Sequence, residues 1–171
     1  MAHSERLMPW IKKWEGGFSN HPADRGGATN KGITIKTFRL FYGKEATVEH
    51  LRNMTDAQWQ RIFLAGYWRP WKADSIRSQS IANICVDWAW ASGTVTAIRQ
   101  VQRLLGVRVD GIVGEQTLAA INKRDARELF DKIREARIAF VDAIIARDPS
   151  QQVFERGWKR RINDIDFVDY A

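Results

Sequence analysis

Cysteine is almost missing from this chain. Cys85 stands alone, so no intrachain disulfide can form and folding needs no oxidising compartment. Its neighbours, Ile81-Ala82-Asn83-Ile84 and Val86, mark it as a small buried hydrophobe. Histidine is as sparse: His3, His21 and His50 lie far apart, and no Cys/His cluster has metal-ligand spacing. No metal and no other cofactor is therefore expected. Long apolar runs are absent too, and none approaches the roughly twenty residues of a transmembrane helix, so no stable membrane insertion is expected. The first ten residues, MAHSERLMPW, lack the apolar core of a signal peptide. A target outside the cytoplasm then requires that something else export the protein or breach the membrane. Strand patterns are scarce, with only 106–113 suited to a brief hairpin, and neither repeats nor low-complexity linkers occur.

What is present points to a helical globular protein. A chain of 171 residues is long enough for one domain with a real core, or one domain and a small appendage. Hydrophobic residues make up 44% and charged residues 27%, which is ordinary for a folded protein and excludes a disordered one. The net charge of +7 draws such a protein to polyanions, whether nucleic acid, anionic membrane or an anionic cell wall. The basic residues are scattered, however. The longest run is Lys159-Arg160-Arg161, which reads as a solvated helix face, and no nucleic-acid-binding motif accompanies it.

Leu7, Trp10, Ile11 and Trp14 form one apolar stripe at helical spacing, with Pro9 either in the first turn or at a kink. Further helices start at Thr34, Thr47, Thr55 (a capping box with Gln58), about Ser80, Thr94, Glu115 and Asp125, and a last one holds Phe154, Trp158 and Ile162. The segment from about Ser80 to Ser92 is apolar almost all round, which marks a central buried helix. Its one charge, Asp87, must be paired or face a cleft, and a salt bridge to Arg99 or Arg137 is the preferred reading. The fold class is all-α, with six to eight helices around that apolar helix.

One stretch breaks this pattern. Residues 14–34 read WEGGFSNHPADRGGATNKGIT, too rich in turn residues for helix or regular strand, and anchored at its borders by Trp14, Phe18 and Ile33. A loop this long and ordered is usually functional. Glu15 sits where the first helix runs into Gly16-Gly17, either of which can take a left-handed C-cap. The negative end of the helix macrodipole and the apolar neighbours Trp14 and Phe18 both disfavour a charge there, as suits a proton donor. Asp24, nine residues on, is the natural second carboxylate if the pair does acid–base work. An aspartate before Arg25-Gly26-Gly27 equally suits a turn, and that role is slightly preferred. Thr29 is a loop hydrogen-bonder or a hydroxyl that positions water. Tyr67, Trp68 and Trp71, in an aromatic and basic loop, are partly core; any exposed member would stack on a sugar ring.

Glu15-Gly16-Gly17, Pro22, Asp24, Gly26-Gly27, Thr29 and Gly32-Ile33-Thr34, at these spacings, resemble the signature of glycoside hydrolase family 108. That resemblance implies a lysozyme-like topology and an N-acetylmuramidase that cleaves the β-1,4 bond between N-acetylmuramic acid and N-acetylglucosamine, with Glu15 as the catalytic acid. Arg25 stands where the family commonly has proline, and His21 where it has aspartate. Gln102, Leu105, Asp110-Gly111, Gly114 and Thr117 resemble a small peptidoglycan-binding module, although the glycines serve equally well as helix–turn–helix geometry. The implied organisation is a catalytic region over 1–92 and a peptidoglycan-binding-like region over 93–171, packed as one compact unit. Its partner would be peptidoglycan and not nucleic acid, and its state a monomer. The alternative is a non-catalytic wall-binding or secretion-helper protein of the same fold.

Overall fold

The computed structural model describes residues 1–21 and 26–169. The fold is all-α, with nine α-helices among the described residues against the six to eight expected, and one two-stranded sheet. The short helix Val48–Arg52 is among those whose start is read from the sequence, at Thr47. No helix among the described residues is long and apolar enough to cross a membrane.

The chain divides into two compact units, Glu5–Gly66 and Met1–Ser4 with Tyr67–Ala171. The central helix falls in the second of these units, because it packs with the helices that follow it.

In the unit Glu5–Gly66, helix α1 (Ser4–Trp14) buries Leu7 and Ile11, one turn apart, and leaves Trp10 and Trp14 half-buried with rings 6.1 Å apart. Pro9 lies inside this helix, past its first turn, so one backbone hydrogen bond is forgone. Strands β1 (Thr29–Asn30) and β2 (Ile33–Thr34) pair antiparallel, Thr29 with Thr34 and Asn30 with Ile33. The two residues between them, Lys31 (φ 48°) and Gly32 (φ 81°), are both left-handed, as a type I′ hairpin requires. The hairpin therefore lies here and not at 106–113, where no strand forms. Three helices follow, each capped by a threonine read from the sequence. Thr34 caps α2 (Ile35–Tyr42), and Thr47 and Thr55 form capping boxes on α3 (Val48–Arg52) and α4 (Asp56–Phe63).

Beyond α4 the chain tightens through a π-helical turn, Leu64–Trp68, and two 3-10 turns, Arg69–Trp71 and Ala73–Ser75. In the second unit, α5 (Gln79–Ser92) is the central helix: every residue from Gln79 to Ala89 is buried. Around it pack α6 (Thr94–Leu105), whose N-cap is Gly93 and not Thr94, and α8 (Ala126–Arg147), capped by Asp125. The smaller α7 (Glu115–Lys123) packs on α6, and α9 (Glu155–Asp164) on α8.

Asp87 is fully buried in α5. It accepts hydrogen bonds from Arg137 of α8 at 2.9 Å and from Arg161 of α9 at 2.8 Å. Arg137 was one of two partners expected; Arg161 belongs to the run read as a solvated face. Its guanidinium instead turns inward, because a buried carboxylate with one partner leaves lone pairs that a second donor satisfies. Cys85 is buried beside this group, and burial pushes its thiol well above the ordinary range.

The stretch that resembles a wall-binding module is built around Gln102, itself fully buried. Its amide nitrogen donates to the Asp110 carboxylate (2.9 Å), the Ile112 carbonyl (2.9 Å) and the Thr117 hydroxyl (3.2 Å). Its oxygen accepts from the backbone N–H groups of Asp110 (3.1 Å) and Gly111 (2.9 Å). The polar groups that define the motif are thus spent on one another, which favours the geometric reading of these residues. Gly111 (φ 77°) is left-handed, and a Cβ there would come within 3.0 Å of Val95.

Candidate active site

The site builds from the end of α1. The Glu15 N–H still closes on the Ile11 carbonyl (3.1 Å), so the glutamate follows the last helical residue with its backbone held. Neither Gly16 nor Gly17 takes the left-handed C-cap expected of them. Both are exposed, and among the described residues a Cβ at either would meet nothing within 4 Å. The carboxyl of Glu15, half-buried, is seated on the hairpin turn. A Cβ at Gly32 would fall 2.7 Å from both its Cδ and its Oε2 and 2.9 Å from its Cγ. No side chain other than hydrogen fits there while Glu15 keeps this place.

The turn is itself pinned from several sides. Asn30 is buried, and its amide nitrogen donates to the Leu51 (2.9 Å) and Arg52 (3.1 Å) carbonyls at the end of α3. The Trp59 indole N–H donates to the Lys31 carbonyl (3.0 Å), so a fully buried ring from α4 fixes the residue before Gly32. On the other edge, Ser19 and Thr29 exchange both backbone hydrogen bonds at 2.8 Å, which draws the start of the loop alongside β1. Phe18 lies under the Arg52 guanidinium, 4.4 Å from ring to charge. Lys12 and Lys31 flank Asp56 at 3.4 and 3.6 Å. The Lys12 hydrogen bond, then the charges of Lys12 and Lys31, hold the Asp56 carboxyl below the usual range.

Of the residues singled out in the sequence, Glu15 and Thr29 belong to this arrangement, Thr29 heading the strand that leads into the seat of Glu15. Asp24 lies outside the described residues. Tyr67, Trp68 and Trp71 belong to the other unit, and the structure separates them by exposure. Trp68 (1% exposed) and Trp71 (0%) are core, and Trp68 donates its indole N–H to Asp74 at 2.8 Å. Neither ring offers a face on which a sugar could stack, which corrects their reading as substrate-binding residues. Tyr67 is half-buried, its ring 4.7 Å from that of Trp90, and burial raises its hydroxyl above the ordinary tyrosine range. Sequence reasoning missed Asn30 and Trp59 as anchors and Gly32 as a seat. The signal for the last was Gly32 itself, a turn-forming residue two places after an asparagine.

Comparison with known proteins agrees with this picture. Residues 8–93 match the family model described as Glycosyl hydrolase 108, and residues 96–163 match one described as Predicted Peptidoglycan domain. No curated protein matches the chain. Among solved structures, Brucella abortus SagA is similar, with 29% sequence identity and a TM-score of 0.84 over 94% of this chain and 90% of that one. The first of these matches spans half of the chain, Glu15 and its hairpin seat included, and on that ground the chain belongs to glycosyl hydrolase family 108.

Proposed function

We propose that this protein is a muramidase that cleaves the β-1,4 bond between N-acetylmuramic acid and N-acetylglucosamine in peptidoglycan, with Glu15 as the general acid. Glu15 donates a proton to the glycosidic oxygen while positive charge develops on the sugar ring. The observation that carries the reading is the seat of the Glu15 carboxyl on Gly32. A proton donor must be held in one place to act on one bond, and here a pinned hairpin turn does the holding. The exposed Gly16-Gly17 backbone beside it leaves room for a polymeric substrate. The second catalytic function falls either to Asp24 as a carboxylate or to a water positioned by Thr29. Tyr67 supplies a partly accessible ring for stacking. The enzyme works on the wall after export or after release through a breached membrane, and its basic surface favours the anionic polymer.

Digestion of purified peptidoglycan followed by mass spectrometry of the fragments tests the bond. Muramic acid at the new reducing end is expected; glucosamine there, or released stem peptide, would overturn the assignment. Glu15→Gln, nearly isosteric but unable to donate, should abolish release of reducing ends while helical content and melting temperature stay unchanged. Binding to insoluble wall without any release by the natural protein would favour the non-catalytic alternative.

A further inference from the structure

Two residues one helical turn apart on α4 hold both halves of the Glu15 seat. Asp56 pairs with Lys12 of α1 at 3.4 Å and with Lys31 of the hairpin turn at 3.6 Å. Trp59 touches the same two lysines. The Lys12 ammonium lies 4.8 Å from its ring centroid, and its indole N–H donates to the Lys31 carbonyl at 3.0 Å. Lys12 stands three residues before Glu15, and Lys31 immediately precedes Gly32. One turn of one helix thus fixes the segment that carries the acid and the turn that receives it. The two members contribute unequally. Asp56 is mostly exposed, so water and salt screen its pairs. Trp59 is fully buried and stacks on Phe63, with ring centroids 5.3 Å apart and planes within 6° of parallel. Its N–H is the one donor an indole has. The carbonyl it holds belongs to the peptide that joins Lys31 to Gly32. Lys31 keeps φ 48°, a left-handed value that a residue with a Cβ disfavours, and such a backbone persists where its surroundings hold it.

We propose that Trp59 is a positioning residue for glycan cleavage: its indole N–H fixes the Lys31–Gly32 peptide and, through it, the place of the Glu15 carboxyl. Without that hydrogen bond the peptide plane is free to tilt, and Gly32 tilts with it. The carboxyl packs so closely on Gly32 that it must follow. The effect on rate rests on the muramidase reading of Glu15, whereas the effect on geometry does not. Moving a reacting group by about 1 Å lowers a rate by about a hundredfold, while contacts made elsewhere along a polymeric substrate keep their strength. The role of Trp59 therefore shows in kcat and not in KM.

Replacing Trp59 in the full chain by benzothienylalanine, through amber suppression, tests the proposal, because that side chain keeps the shape of the indole and carries sulfur in place of the N–H. Trp59→Phe, which also lacks the donor, is the second variant, and both are studied at a temperature where they are fully folded. Two measurements are made. In the natural protein NMR should show a nuclear Overhauser effect between the Gly32 Hα and Glu15 Hγ protons, since a Cβ at Gly32 would fall 2.9 Å from the Glu15 Cγ. Both variants should lose it. On soluble, uncrosslinked glycan strands from the wall, kcat of both should fall by about tenfold or more while KM stays within about twofold. Survival of the Overhauser effect in the variants, its loss with kcat retained, or a change confined to KM would each overturn the role. A natural protein that cleaves no glycan overturns the muramidase reading instead, and a surviving Overhauser effect overturns the role of Trp59 alone.

Discussion

Glu15 and Gly32 are seventeen residues apart in sequence, yet the carboxyl of one occupies the space where a side chain of the other would begin. Each makes the other's conformation necessary. Gly32 must be left-handed to close the hairpin, and must lack a Cβ to admit the carboxyl.

Gly32→Ala should therefore do two separable things. The left-handed backbone costs about 1–2 kcal/mol with a Cβ present, measurable as a lower midpoint in urea. The new methyl must also displace the Glu15 carboxyl, so clearing of a wall suspension should fall at least tenfold at a temperature where the variant is fully folded. An unchanged rate would sink the idea that this seat positions the acid.

The Asp87 cluster makes a stability prediction of its own. Asp87→Asn removes the charge that two inward-facing arginines share, and breaking a buried ion pair from one side costs about 3–5 kcal/mol. Denaturant unfolding should register that loss, and Arg137→Met, which leaves Asp87 bonded to Arg161, should cost less.

Gln102→Leu keeps the volume and removes the hub. It strands two backbone N–H groups and a backbone carbonyl in the loop before α7, and a cost of about 2–4 kcal/mol is expected. If wall binding drops while stability holds, the motif acts on ligand and not on geometry.

Cys85 should be silent in the native state. Burial keeps its thiol protonated, and only the thiolate attacks disulfide reagents. Labelling is expected to follow the unfolding transition in denaturant. Stoichiometric labelling of the native protein would contradict the burial of α5.

Tyr67 carries a pH signature. Its pKa is raised in the folded state, so the fold holds the proton more tightly than the unfolded chain does. The resulting stability is fully present below the unfolded value of about 10 and is lost as pH rises through the folded one. Alkaline absorbance titration of the natural protein minus that of Tyr67→Phe should show one step above pH 10; a step at or below 10 would contradict the burial.

Much of this architecture is legible one helix at a time. Thr34, Thr47, Thr55 and Asp125 cap helices because capping is a three-residue relationship written locally. The apolar run of α5 announces its burial, and a charge within it announces a partner. What stays hidden is what depends on distant residues or on short elements. Two-residue strands have no periodicity to detect, so the hairpin at Thr29–Thr34 hides inside the glycine-rich motif. Arg161 looks solvated because its helix turn is basic, and only packing shows that it faces Asp87. Trp68 and Trp71 share their loop with Tyr67, and nothing in the local sequence says that two of the three point into the core. For Glu15, the motif singles out the residue; its seat emerges only when a turn seventeen residues later folds back.

The central helix is closed by residues far downstream. The carboxylate of Asp169 accepts from the Ser78 hydroxyl and from the N–H groups of Gln79 (3.0 Å) and Ser80 (3.3 Å), and Val168 donates to the Ser80 hydroxyl at 2.7 Å. A growing polypeptide reaches α5 some ninety residues before it reaches that carboxylate. The helix must wait, its first amides open to water, until translation has carried residue 169 clear of the ribosome. A chain cut short before Val168 would leave the innermost helix of this unit without these bonds at its positive end.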